Sequence, residues 1–153
     1  MEQNISTVNY TARTLFIKFL DALTLEQLNT IPEGFSNNII WNIVHIVVTQ
    51  QLLYYKLSGT PMTISQDIID NYKKATKPTQ HVDQQFVDYI RQELVESLER
   101  VNQDIKQSNF GTFTPYMTST GFEIASLQDA MAFNMLHEGI HLGYIMAQRK
   151  LVI

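Results

Sequence analysis

Asn38-Ile39-Ile40-Trp41-Asn42-Ile43-Val44-His45-Ile46-Val47-Val48-Thr49-Gln50-Gln51-Leu52-Leu53 decides the fold class. The run is apolar on almost every side and too long for a strand. Asn37 or Asn38 can cap its start, and Gly59 and Pro61 supply stop signals after Ser58. A helix with so little polar surface belongs at the centre of a protein rather than on its flank.

Outward from this element, three further long helices are predicted. One spans about Ser6 to Ala22, with Val8, Leu15, Phe16, Phe19 and Leu20 along one side, and Thr24-Leu25-Glu26-Gln27 reads as a brief capped turn after it. Another spans about Asp83 to Ser108, setting Phe86, Ile90, Leu94, Leu98, Val101 and Ile105 at helical spacing against Glu93, Glu96, Glu99, Arg100 and Asp104. The last is opened by Ser126 with Asp129 and runs to about Lys150. Between the second and third long helices, Gly59 to Val82 forms a long connection with a short helix around Ser65 to Lys74 and a break at Pro78. Asn109 to Ala125, rich in Gly, Thr, Ser and aromatics, reads as an ordered loop able to hold an irregular hairpin. The expected fold is all-α, a bundle of four long helices.

The chain has 153 residues, 44% of them hydrophobic, which suits one domain over 1–153. The net charge of −4, and the absence of Lys and Arg from Phe19 through Tyr55, argue against binding to nucleic acid. With no cysteine, neither disulfides nor thiolate ligands are available, so a transition-metal site must draw on His, Asp or Glu. Met1-Glu2-Gln3-Asn4-Ile5 lacks the basic and apolar segments of a secretory leader, and no stretch has the length of a membrane span. A cytoplasmic protein that does not engage membranes is expected.

Three of the four histidines occupy positions where an imidazole needs a partner. His137 and His141 are four residues apart, so their directions on a helix differ by about 40°. Ala130, Phe133, Ile140 and Tyr144 lie within about 60° of His137, which marks that face as the buried one. Burying two imidazoles there is costly unless they are hydrogen-bonded or ligated. His45 sits mid-way along the most apolar helix, with Asn38, Asn42 and Thr49 within about 60° of it. A single buried His is ordinarily a hydrogen-bonded core residue, but three at inward positions of core helices point to a metal site of His45, His137 and His141. Asn42, Thr49, Asn134 and Tyr144 are then candidates to line its pocket. His81, in the Pro-containing connection, reads as a solvated loop residue.

His137-Glu138-Gly139-Ile140-His141 also fits the H-E-x-x-H string of metalloproteases, in which the Glu is the general base. A third ligand downstream is required for that reading, yet no His, Asp, Glu or Cys follows His141. A protease is not expected, although Glu138 stays a candidate proton acceptor; its projection about 100° from His137 also suits a partly exposed flank.

Trp41 four residues before His45, the pair His137 and His141, and Gly143 beyond them resemble the DinB / YfiT-like family, over nearly the whole chain. In that family the last segment commonly reads H-x-x-x-H followed by R-G-Q; here Leu142 and Tyr144 replace the Arg and the Gln, while Gly143 is kept. The resemblance implies an up-down-down-up four-helix bundle with a long crossover between helices 2 and 3, one divalent metal on three histidines, and a homodimer. Some members resemble thiol-dependent enzymes, including mycothiol- and bacillithiol-linked transferases and a maleylpyruvate isomerase, and others metal-dependent hydrolases. The family name suggests induction by DNA damage, which this acidic chain does not support as DNA binding.

Three neutral nitrogens fill only part of a divalent ion's coordination shell, leaving positions for water or substrate. Imidazole ligands suit Zn, Ni or Fe. A bound ion acidifies a coordinated water or a coordinated thiol, so hydrolysis and thiol transfer to a small electrophile both fit the same three residues. Transfer of a low-molecular-weight thiol is the preferred expectation; hydrolysis, with Glu138 or a solvent network as proton acceptor, and a non-catalytic metal- or ligand-binding stress protein are the alternatives.

Overall fold

A computed structural model describes the backbone of residues 2–153 and the side chains of residues 7–153. The stretch Met1-Glu2-Gln3-Asn4-Ile5, weighed for a leader, lies outside the described residues apart from the helical backbone of residues 2–5. Helices dominate: α1 (Glu2–Ala22), α2 (Leu25–Asn29), α3 (Ile39–Gln51), α4 (Gln66–Tyr72), α5 (Gln84–Lys106) and α6 (Leu127–Val152). One small antiparallel pair, β1 (Tyr116–Met117) and β2 (Glu123–Ile124), matches Tyr116 with Ile124 in the loop before α6. Among the described residues no helix is long and apolar enough to cross a membrane.

The helix starts follow from side-chain acceptors at the ends of the apolar runs. Asn38, Ser65, Asp83 and Ser126 each accept a hydrogen bond from the backbone N–H three residues on, satisfying donors that a helix N-terminus leaves unpaired. Thr24 and Gln27 form a reciprocal capping box at α2, as the sequence suggests. Asn38 also donates through Nδ2 to the carbonyl of Asn29 at 2.9 Å, while the Asn29 side chain pairs with both backbone groups of Val82. These bonds tie the ends of α2 and the long crossover to the start of α3.

Along α3, Ile39, Ile40, Ile43, Val44, Ile46, Val47 and Val48 are all at most 1% exposed. Each contributes about 1.5–3 kcal/mol by full burial. They share one core with Phe16, Leu20, Val87, Ile90, Leu94 and Ile145 from α1, α5 and α6. Beyond Gln51 the helix does not simply continue to Ser58: Leu52–Lys56 form a π-helical turn closed by Leu57 N–H to the Leu52 carbonyl at 3.2 Å. The wider turn allows Leu53, Tyr54 and Tyr55 all to face inward, where they join Val101, Ile124, Ala130 and Met131 in a second core. Gly111 packs against the end of this turn so closely that a Cβ would lie 2.6 Å from the Ser58 carbonyl oxygen.

The inward face of α6 departs from the wheel drawn around His137. Ala130, Met131, Asn134, Glu138, Ile145 and Gln148 are buried, whereas Ile140 and Tyr144 are about half exposed. His137 and His141 therefore sit at the margin of the buried face rather than in its middle. Val8 of α1, expected on the apolar side, is likewise exposed, and that side carries Asn9 and Arg13 instead.

Candidate metal centre

His45 of α3 meets His137 and His141 of α6 in one cluster. One ring nitrogen from each lies within 4.8 Å of the others, and the ring centroids are 4.5 to 5.1 Å apart. Among the described residues no carboxylate joins the three. His45 is buried and stacked on Trp41, one helical turn earlier, at 4.7 Å and 11°.

Hydrogen bonds set the tautomers of two rings. The last carbonyls of a helix lack intrahelical donors, and Tyr72 at the end of α4 turns its carbonyl onto His45 Nδ1, 2.6 Å away. His45 Nδ1 must then donate, which makes Nε2 the lone-pair nitrogen, and it accepts from the Thr49 hydroxyl at 3.3 Å. On α6, His141 Nδ1 is 2.8 Å from Asn42 Oδ1. Asn42 Nδ2 already donates to Asn37 Oδ1, the Asn38 carbonyl and Gln148 Oε1, so its oxygen is the group that faces His141 and accepts. His141 Nε2 is thereby the lone-pair nitrogen. His137 Nδ1 is buried with no partner. Three imidazoles that converge, two held through Nδ1 by carbonyl oxygens and one with an orphaned nitrogen, fit a divalent ion in the manner of metal-binding histidines.

Electrostatics point the same way. Burial lowers the pKa of all three histidines: His45 lies below its ordinary value, His141 falls to about 3 with the charge of His45 adding, and His137 falls to about 2 with His141, His45 and Arg13 adding. The rings are neutral at physiological pH and present lone pairs. The folded state thus binds fewer protons than the unfolded state once the pH drops below the unfolded value of about 6.5. These groups leave stability unaffected above that value and lower it as acid is added below it, because protons then bind the unfolded chain in preference. The metal-free protein is expected to melt at a constant temperature above pH 7 and at progressively lower ones from pH 6.5 to 5. Equal melting temperatures at pH 7.5 and pH 5 would overturn this account.

The other residues singled out in the sequence fall in different places. Asn42 and Thr49 touch the histidines. Tyr144 is half exposed and packs edge-on against Phe35 at 5.5 Å. Asn134 is fully buried and donates to Glu138 Oε1, one turn later, at 3.0 Å. Glu138 itself is 1% exposed rather than on an exposed flank, and its Oε1 accepts from Arg13 Nη2 at 2.7 Å and Nε at 3.0 Å. Oε1 thus collects Arg13 and Asn134, while Oε2 is buried with no hydrogen-bond partner. Arg13 was not visible as a site neighbour from sequence, although its spacing from Asn9, Phe16 and Leu20 places it on the apolar side of α1. His81 is exposed and lines a recess of about 410 Å³ that reaches Trp41 and Tyr72, the residues that stack on and hydrogen-bond to His45.

The family model described as the DinB superfamily matches residues 9–145, which include all three histidines. The chain belongs to the DinB superfamily. Among curated proteins none matches it significantly. The DinB match and the three-histidine cluster are both compatible with metal binding.

Proposed function

We propose that this DinB protein is a metal-dependent enzyme of the thiol-transferase type, which joins a low-molecular-weight thiol to a small electrophilic substrate. The observation that carries the reading is the convergence of three neutral imidazoles with no fourth protein ligand among the described residues, partly exposed at His137 and His141. Open coordination positions distinguish catalytic from closed structural sites. A bound Zn, Ni or Fe ion would supply the Lewis acidity that turns a thiol into a nucleophile near neutral pH. The protein's part is to hold the three nitrogens, through Tyr72 and Asn42, and to keep them free of protons.

Hydrolysis, with Glu138 or a solvent network accepting the proton, is the alternative enzyme reading; one Glu138 oxygen is already held by Arg13. The packing of α1 on α5 and α6, and of α3 on α5 and α6, agrees with one up-down-down-up four-helix bundle. Apolar residues left exposed along α6 suit a homodimer, and the net charge of −4 suits a cytoplasmic protein without a nucleic-acid or membrane partner. A non-catalytic metal-binding role is the competing account, favoured by Leu142 and Tyr144 where the family has Arg and Gln.

Metal-free and metal-loaded protein, mixed with candidate thiols and an electrophile such as a chlorinated dinitrobenzene, should differ in the consumption of free thiol. The loaded protein is expected to consume thiol at least ten times faster than the metal-free form. Equal rates would exclude the transfer reading and leave the binding role.

A further inference from the structure

The ion pair between Arg13 and Glu138 is an expensive way to join α1 to α6. Both residues are 1% exposed, and a buried pair of this kind can often be exchanged for apolar side chains with no loss of stability. One carboxylate oxygen nevertheless collects three donors: Arg13 Nε, Arg13 Nη2 and Asn134 Nδ2. Arg13 Nη1 reaches α5 as well, at 3.4 Å from Ser97 Oγ and 3.5 Å from the Leu94 carbonyl.

We propose that Arg13 is a positioning residue for the metal centre: by gripping Glu138 it fixes the rotation of α6 that presents His137 to His45 and His141. The need for such a device lies in α6 itself. Leu136, Ile140, Met146 and Leu151 on its outer side, 46–59% exposed, are as apolar as Ala130, Met131 and Ile145 on its inner side. Hydrophobic burial is non-directional and discriminates weakly among rotations of such a helix. Polar contacts must select one. Towards the C-terminus Gln148 does so, bonded to Asn37 and Asn42 beside His141. At the level of His137 the selecting contact is Glu138, its immediate neighbour in the chain.

His137 depends on that contact more than the other two ligands do. His45 is held by Tyr72 and His141 by Asn42, whereas His137 Nδ1 has no hydrogen-bond partner. Its ring is placed by the backbone of α6, and a twist of one residue step, about 100°, would remove it from the cluster altogether.

The inference rests on the metal-binding reading for its consequence but not for its geometry, and two readouts keep them apart. The double variant Arg13→Met with Glu138→Met preserves volume and leaves no lone buried charge. It should fold with a melting temperature above that of either single replacement. Its affinity for Zn²⁺, measured by calorimetry, should fall about 10–100-fold, as when a partner that orients a ligand is lost. The absorption spectrum of the Co²⁺-loaded variant should change, and its crystal structure should show His137 displaced. Unchanged affinity and spectrum would overturn the proposal. If the wild type itself binds no metal, the metal reading fails, and the crystal structure alone decides this one: His137 in its original place overturns it. Should the double variant not fold, Arg13→Lys keeps the charge and loses the two-nitrogen grip, and Zn²⁺ affinity equal to the wild type in that variant would overturn it as well.

Discussion

Replacement of His141 by alanine is expected to lower the affinity for Zn²⁺ by more than about 100-fold, beyond what the loss of an orienting partner costs a metal site. The reason is the division of labour among the three rings. With two of three nitrogens left, the ion keeps too few protein ligands for a stable site, and no carboxylate among the described residues stands close enough to substitute. Asn42→Ala should have a smaller effect, about 10–100-fold, because it leaves all three nitrogens present and releases only the tautomer and orientation of His141. His81→Ala should have none, since His81 lies in the crossover, exposed and outside the cluster. Calorimetric titration of metal-free protein near pH 7.5 measures all three, at a pH where the depressed pKa values of His137 and His141 leave no proton to compete. Zn²⁺ bound stoichiometrically and with unchanged affinity by His141→Ala would exclude the three-histidine site.

The helix starts and the metal cluster could be read from the chain because each rests on short-range chemistry. Asn38, Ser65, Asp83 and Ser126 cap helices through bonds to their own third neighbours, and His137 and His141 share a face by helical geometry alone. The position of His45 beside them was inferable from its burden: a polar ring in the most apolar segment has to be satisfied across a helix interface. What the chain hid was long-range. Glu138 looks like a solvent-facing residue until Arg13, 125 positions away, is seen to meet it. Nothing local signals which side of α6 turns inward, because that helix is apolar nearly all round; Ile140 and Tyr144 were misplaced for this reason. The π-helical turn at Leu52–Lys56 also has no simple sequence mark, since Leu53, Tyr54 and Tyr55 suit a buried α-helix equally well.

Arg13→Ala alone is expected to destabilise the protein by about 3–5 kcal/mol, the cost of leaving a buried charge without its partner. For a chain of this size that corresponds to a melting temperature lower by roughly 10 °C. In the variant, Glu138 Oε1 would keep only the Asn134 amide as a donor, and Oε2 already has none. Water cannot easily compensate: Glu138, Asn134 and the neighbouring Tyr54 are almost completely buried, and the Tyr54 phenol is driven well above its ordinary pKa, by burial first and by the charge of Glu138 second. Urea unfolding of Arg13→Met, Glu138→Met and the double variant with both replacements forms a cycle with a distinctive outcome. Each single change should be severely destabilising and the double nearly neutral, giving a coupling of several kcal/mol that surface ion pairs never approach. A loss below about 1 kcal/mol in Arg13→Ala would place the pair in the energetic class of solvated contacts. Such a contact could not hold α6 in register, so the same measurement bears on whether the fold presents His137 by design of this pair or by the packing around it.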